Sequence, residues 1–154
     1  MGCKSTGNSA RLSDADKAIE KKIDNLLAQM TLEEKVGQMN QYSYSREATG
    51  PVVDPTNNVE DDIKKGLVGS VLNTTGAEQT RQLQKFAVEN SRLHIPLLFG
   101  LDVIHGYKTI FPVPLGEAAS WDLEAMELSS RIAAIEASSA GIHWTFAPMV
   151  DIAR

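Results

Sequence analysis

Three short apolar runs, "LVGSVLN" (67–73), "PLLFGLD" (96–102) and "HWTFAPMV" (143–150), constrain this chain most. They stand roughly 25 to 50 residues apart, and each gap holds a segment of helical periodicity. Antiparallel neighbours can be joined by two-residue turns, whereas parallel strands need crossovers of a dozen residues or more. The spacing therefore predicts crossover units and a parallel sheet. The near-continuous apolar character of the runs fits a sheet covered by helices on its outer face.

The connecting segments read as helices. Ile19, Ile23, Leu26, Leu27 and Met30 form one amphipathic stripe, with Ser13 placed to cap it and Asp14 and Asp16 near the positive end of its dipole. Thr31 stands three residues before Glu34, a capping box that predicts a short helix over 32–38. Residues 45–58 are rich in turn formers and are expected to be a loop. "VEDDIKKG" is a short helix stopped by Gly66, and "GAEQTRQLQKFAVENSR" places Leu83, Phe86, Ala87 and Asn90 on one face. After a Gly/Pro-rich connection, a long helix begins at the cap Asp122 and stops at Gly141. Met39, Asn40 and Gln41 end a short segment under the sheet and receive no role. Three strands are few for such a sheet, and "DIAR" follows the last without a helix to cover it, leaving an open edge. The expected fold is α/β, the front portion of a (β/α)8 TIM-type barrel that is incomplete in this chain.

Composition narrows the partners. The net charge is −5, and no basic stripe extends beyond Lys64 and Lys65, so no nucleic-acid partner is expected. No apolar run approaches the ~20 residues of a membrane span. The single cysteine, Cys3, excludes an internal disulfide. Its surroundings, "MGCKSTGNSA", are polar and aperiodic, so residues 1–12 are expected to be a disordered tether. The Gly-Cys pair resembles the start of a mature bacterial lipoprotein, which implies lipidation of Cys3, an apolar leader upstream, and a place in the periplasm or outer membrane. The competing reading is a terminal cysteine without a role.

At the carboxyl ends of barrel strands lie the residues that do chemistry. Asp102 follows its apolar run directly, and a carboxylate there can accept two hydrogen bonds from vicinal hydroxyls. Alternatively it caps the turn before His105 and Gly106. His105 either binds substrate or fixes its loop through a backbone carbonyl; His94 is read as solvated, and His143 opens the third strand. No two histidines have metal-ligand spacing, so neither a metal nor another cofactor is expected. No G-x-S-x-G elbow, phosphate loop or G-x-G-x-x-G is present. Asp151 follows "TFAPMV" and shares the rim of Asp102, facing a sugar or holding a loop arginine. Trp121 and Trp144 could stack on a sugar ring, but Trp121 is read as packing and Trp144, alternating with Phe146, as core.

Three blocks, "MTLEEKVGQM", "GLDVIHGYKTIFPVPLGEAASWD" and "AGIHWTFAPMVDIAR", resemble in order and spacing the amino-terminal barrel of glycoside hydrolase family 3, periplasmic β-glucosidase branch. The resemblance covers residues 13–154, and "DVIHG" departs from the Gln-Glu-Gly-Gly that follows the acid in the hexosaminidase branch. It implies that Asp102 holds the non-reducing terminal sugar, that His105 and Gly106 shape the loop, and that Phe111 and Pro112 keep the connection closed. It also places an Asp-Pro-Arg-Trp-Gly-Arg segment, a Lys-His pair, an aspartate nucleophile and a glutamate acid/base beyond residue 154. Retaining hydrolysis needs two carboxyl groups about 5 Å apart, so no catalytic residue is expected among these 154. The implied activity of the parent protein is exo-acting hydrolysis of terminal β-D-glucosyl residues from β-linked glucosides or oligosaccharides, with retention. A β-xylosidase is the neighbouring reading, and a non-catalytic carbohydrate-binding module is the reading from another class.

Overall fold

The computed structural model describes residues 13–44 and 58–149. Cys3, the 1–12 segment, residues 45–57 of the expected loop, and Asp151 lie outside the described residues. Helix α1 (Asp14–Gln29) opens with a reciprocal cap. Ser13 Oγ accepts from the Asp16 N–H (3.1 Å), while the Asp16 carboxylate accepts from the Ser13 N–H (3.0 Å) and is held below its ordinary pKa by Ser13. The stripe forms a helix, yet Ile19, Ile23 and Leu27 remain exposed, and only Met30, just past its end, is buried.

Helix α2 (Leu32–Gln38) repeats the device with Thr31 and Glu34. Glu34 is buried, and the Arg92 guanidinium grips both its oxygens (Nε to Oε1, 3.0 Å; Nη2 to Oε2, 2.5 Å) while also donating to the Gln29 carbonyl. This pair ties the α1–α2 corner to the segment leading into the third strand of the sheet.

Among the described residues four strands are present where three were expected. They are β1 (Gln41–Ser43), β2 (Ser70–Leu72), β3 (Leu98–Leu101) and β4 (Trp144–Thr145), all parallel and in sequential order. Between them run α3 (Val59–Lys64), α4 (Ala77–Lys85, continued by a π-helical turn to Asn90), α5 (Pro114–Ala119) and α6 (Leu123–Ser139). Asp122 caps α6 by accepting from the Ala125 N–H (3.0 Å), and Gly141, at φ +87°, follows its end. Helix α5 lies inside the connection read as irregular, and Pro114 is at its start, where a missing N–H costs nothing.

Alternation along the strands separates two faces. Tyr42, Val71, Phe99 and Leu101 point to the helices, where they join Ile63, Leu83, Ala87 and Ala137 in the core. Ser43 pairs with Leu72, Ser70 with Leu98, and Gly100 with Trp144, and these form the other, concave-side row. Two expectations of burial fail here. Trp144 is 44% and Phe146 39% exposed, because their rings, tilted against each other with centroids 4.7 Å apart, lie on the row that no described helix covers. Trp121, at φ +56° before the α6 cap, is 90% exposed and packs on nothing substantial.

Candidate functional site

The carboxyl ends of the four strands bring Ser43, Asn73, Asp102 and Phe146 to one rim. Asp102 continues the row of Leu98 and Gly100, two residues at a time, so the parity of β3 assigns it to the same side as Trp144 and Phe146. Gly100 leaves that row open. A Cβ there would stand 3.1 Å from the Phe146 ring. Asn73 adopts φ +65° and donates from Nδ2 to Ser43 Oγ (3.0 Å), while its N–H reaches the Gly100 carbonyl (3.2 Å). Below it, the fully buried Thr74 donates its hydroxyl to the Tyr44 carbonyl (2.8 Å).

Asp102 is exposed, and its carboxylate accepts no hydrogen bond from any described residue. It does not cap the following turn. The Val103 N–H goes to the Leu101 carbonyl instead (3.0 Å). A rim carboxylate that the described residues leave free can take two donors from one ligand.

The loop after Asp102 is rigidly specified. The Phe111 N–H donates to the His105 carbonyl (2.8 Å), and His105 Nδ1 lies 3.0 Å from the Phe111 carbonyl. A carbonyl only accepts, so Nδ1 carries the proton. Gly106 pairs with Ile110 across the loop at φ +116°, and a Cβ on it would fall 1.9 Å from the Thr109 oxygen. No other residue fits there.

The remaining histidines serve structure. His143 Nδ1 accepts from the Phe99 N–H (3.3 Å) while its own N–H donates to the Phe99 carbonyl (2.9 Å). The exposed His94 donates from Nδ1 to the Val88 carbonyl (2.8 Å). Among the described residues no group of three His, Cys, Asp or Glu side chains could hold a metal ion, and no helix is long and apolar enough to cross a membrane.

A groove of about 310 Å³ lies between α6, β4 and the 103–111 loop. Ala133, Ala137 and Ile142 line it together with His105, Glu117 and Ser129, its exposed wall is mostly apolar, and Asp102 is not part of it. The rim, not this groove, collects the hydrogen-bonding chemistry. Sequence reasoning overlooked Asn73 there, although it ends "LVGSVL" just as Asp102 ends "LLFGL".

Comparisons with known proteins bear on the same residues. Residues 31–154 match the model of the glycosyl hydrolase family 3 N terminal domain. The periplasmic beta-glucosidase of Salmonella typhimurium is 41% identical over 132 residues, covering 86% of this chain and 16% of that protein. The lysosomal beta glucosidase of Dictyostelium discoideum is 27% identical over 153 residues, covering 84% and 18%. The chain thus spans under a fifth of the length of these two curated relatives. Among solved structures, the beta-glucosidase from Listeria innocua in complex with isofagomine superposes with a TM-score of 0.75 at 38% identity, over 88% of this chain and 19% of that one. A D270A mutant of that enzyme, in complex with laminaribiose, gives 0.71 at 37%, over 86% and 19%.

Proposed function

Because this chain belongs to glycosyl hydrolase family 3, we propose that residues 13–154 are the amino-terminal part of the barrel of an exo-acting, retaining β-glucosidase. In this reading Asp102 holds the hydroxyls of the terminal glucosyl unit, while the nucleophile and the acid/base come from segments beyond residue 154. The observation that carries it is the Asp102 carboxylate at the carboxyl end of β3, without a hydrogen-bond partner among the described residues and on the side of the sheet that bears Trp144 and Phe146. Carboxylates that bind vicinal hydroxyls and aromatic rings that face sugar C–H groups are the usual means of recognising a pyranose. Asp151, two residues beyond Met149 in the sequence, is proposed to support that rim. The relative bound to laminaribiose supports short β-linked gluco-oligosaccharides as substrates here.

The test is Asp102→Ala in the intact enzyme. A charge-assisted hydrogen bond to a sugar hydroxyl contributes roughly 1.5–3 kcal/mol, so kcat/KM for a nitrophenyl β-glucoside should fall about ten- to a hundred-fold with the fold retained. Parental turnover by the variant would remove Asp102 from the sugar site. A nitrophenyl β-xyloside cleaved faster than the glucoside would move the substrate class to xylosides, and cleavage of neither would favour a binding module.

The periplasmic relative supports a place in the cell envelope. The tether reading of residues 1–12 adds a lipid anchor on Cys3. Metabolic labelling with a fatty acid should mark the protein and should be lost in Cys3→Ala; an unlabelled parent would discard the anchor.

A further inference from the structure

Glu136, near the end of α6, spends its whole carboxylate on one loop. Its Oε2 accepts from the backbone N–H groups of Lys108 (2.8 Å) and Thr109 (2.8 Å), and its Oε1 accepts from Thr109 Oγ1 (2.7 Å). The Thr109 amide and hydroxyl hold its pKa below the ordinary carboxylate range, so the group is an anion throughout the neutral region. Two successive N–H groups converging on one oxygen form an anion-binding concavity, here filled from within the protein.

The clamped loop is the one that begins after Asp102. At its base are the paired His105–Phe111 bonds and the Gly106–Ile110 bridge, and on its flank the Tyr107 hydroxyl accepts from the Gly76 N–H (3.3 Å) at the start of α4. Only Val103, which is buried, and Ile104 separate Asp102 from this framework. The Asp102 side chain has no described partner of its own, so its direction is set by the backbone on either side: Leu101 before it, whose carbonyl accepts from the Phe146 N–H (3.3 Å), and the loop after it. Among the described residues, the hydrogen bonds from that loop to the helix feeding β4 all go to Glu136.

We propose that Glu136 is a positioning residue for Asp102: by fixing the tip of the 105–111 loop to α6, it holds the backbone on the carboxyl side of Asp102, and with it the direction of the Asp102 carboxylate. The inference rests on the reading of Asp102 as the glucosyl-binding carboxylate. Glu136 touches no substrate and acts only through the loop.

The experiment compares Glu136→Ala, Glu136→Gln, Thr109→Val and Asp102→Ala in the intact enzyme, measuring kcat and KM for a nitrophenyl β-glucoside and Ki for glucose. Displacing a binding group by about an ångström costs on the order of ten- to a hundred-fold. Glu136→Ala should therefore raise KM and Ki about tenfold while kcat stays within about twofold. Thr109→Val, which removes one of the three bonds, should move both constants the same way by less, and Glu136→Gln, which keeps one acceptor oxygen, should fall between. Parental KM and Ki in the Glu136 and Thr109 variants, beside raised values in Asp102→Ala, would overturn this inference and leave the glucosidase reading standing. A fall in kcat with KM unchanged would overturn it equally. Parental constants in Asp102→Ala would instead bring down the reading on which it rests. If Glu136→Ala does not fold, Thr109→Val and Glu136→Gln decide by the same measure.

Discussion

Glu34 is a carboxylate largely removed from water at a helix corner, and it survives there because every oxygen is used. Arg92 supplies two donors and the Thr31 N–H a third (2.9 Å), and these hold its pKa below the ordinary value, Arg92 contributing most. A folded-state pKa that is depressed favours the native state above the carboxyl group's unfolded pKa. As pH falls past that value the unfolded chain binds a proton that the folded one refuses, and the advantage is lost by the time the native group protonates. Arg92→Met should therefore lower the urea midpoint of the intact protein at about pH 7 and lower it by less at about pH 3. Equal losses at both would show that the pair makes no pH-linked contribution. Replacing the arginine alone is the damaging change, since it strands a buried charge.

At the scale of elements, the legible parts are those whose signal is local. The capping boxes at Ser13 and Thr31, the Asp122 cap and the stop at Gly141 depend on residues within four positions of each other, and the helices begin and end accordingly. Strand β1 was hidden because it is three residues long and only Tyr42 turns to the core, while Gln41 and Ser43 face the concave side. No apolar run exists to be seen. Periodicity identified α1 but could not say what its stripe meets, and alternation put Trp144 and Phe146 on one face without revealing that this face is open. The place of Asp102 could be read from the apolar run before it. That it is free of the turn could not, because the Val103 N–H goes back to the Leu101 carbonyl, a backbone choice that residue types do not announce.

For the molecule as a whole, the exposed row of Leu98, Trp144 and Phe146 and the uncovered stripe of Ile19, Ile23 and Leu27 set its behaviour. Each apolar side chain left in water forgoes roughly 1.5–3 kcal/mol, against a usual domain stability of about 5–15 kcal/mol. Expressed by themselves, these 154 residues should self-associate and bind a hydrophobic dye, as size exclusion and fluorescence would show. A monomer melting cooperatively above ~50 °C would contradict this.

The strictly consecutive strand order has a further consequence for how such a chain is made. Each crossover lays its strand against the one just placed, so no strand must be inserted between two already joined. Growth can follow the direction of synthesis. A polypeptide emerging from the ribosome can add each strand to the edge left by the last, with none having to wait for a later partner.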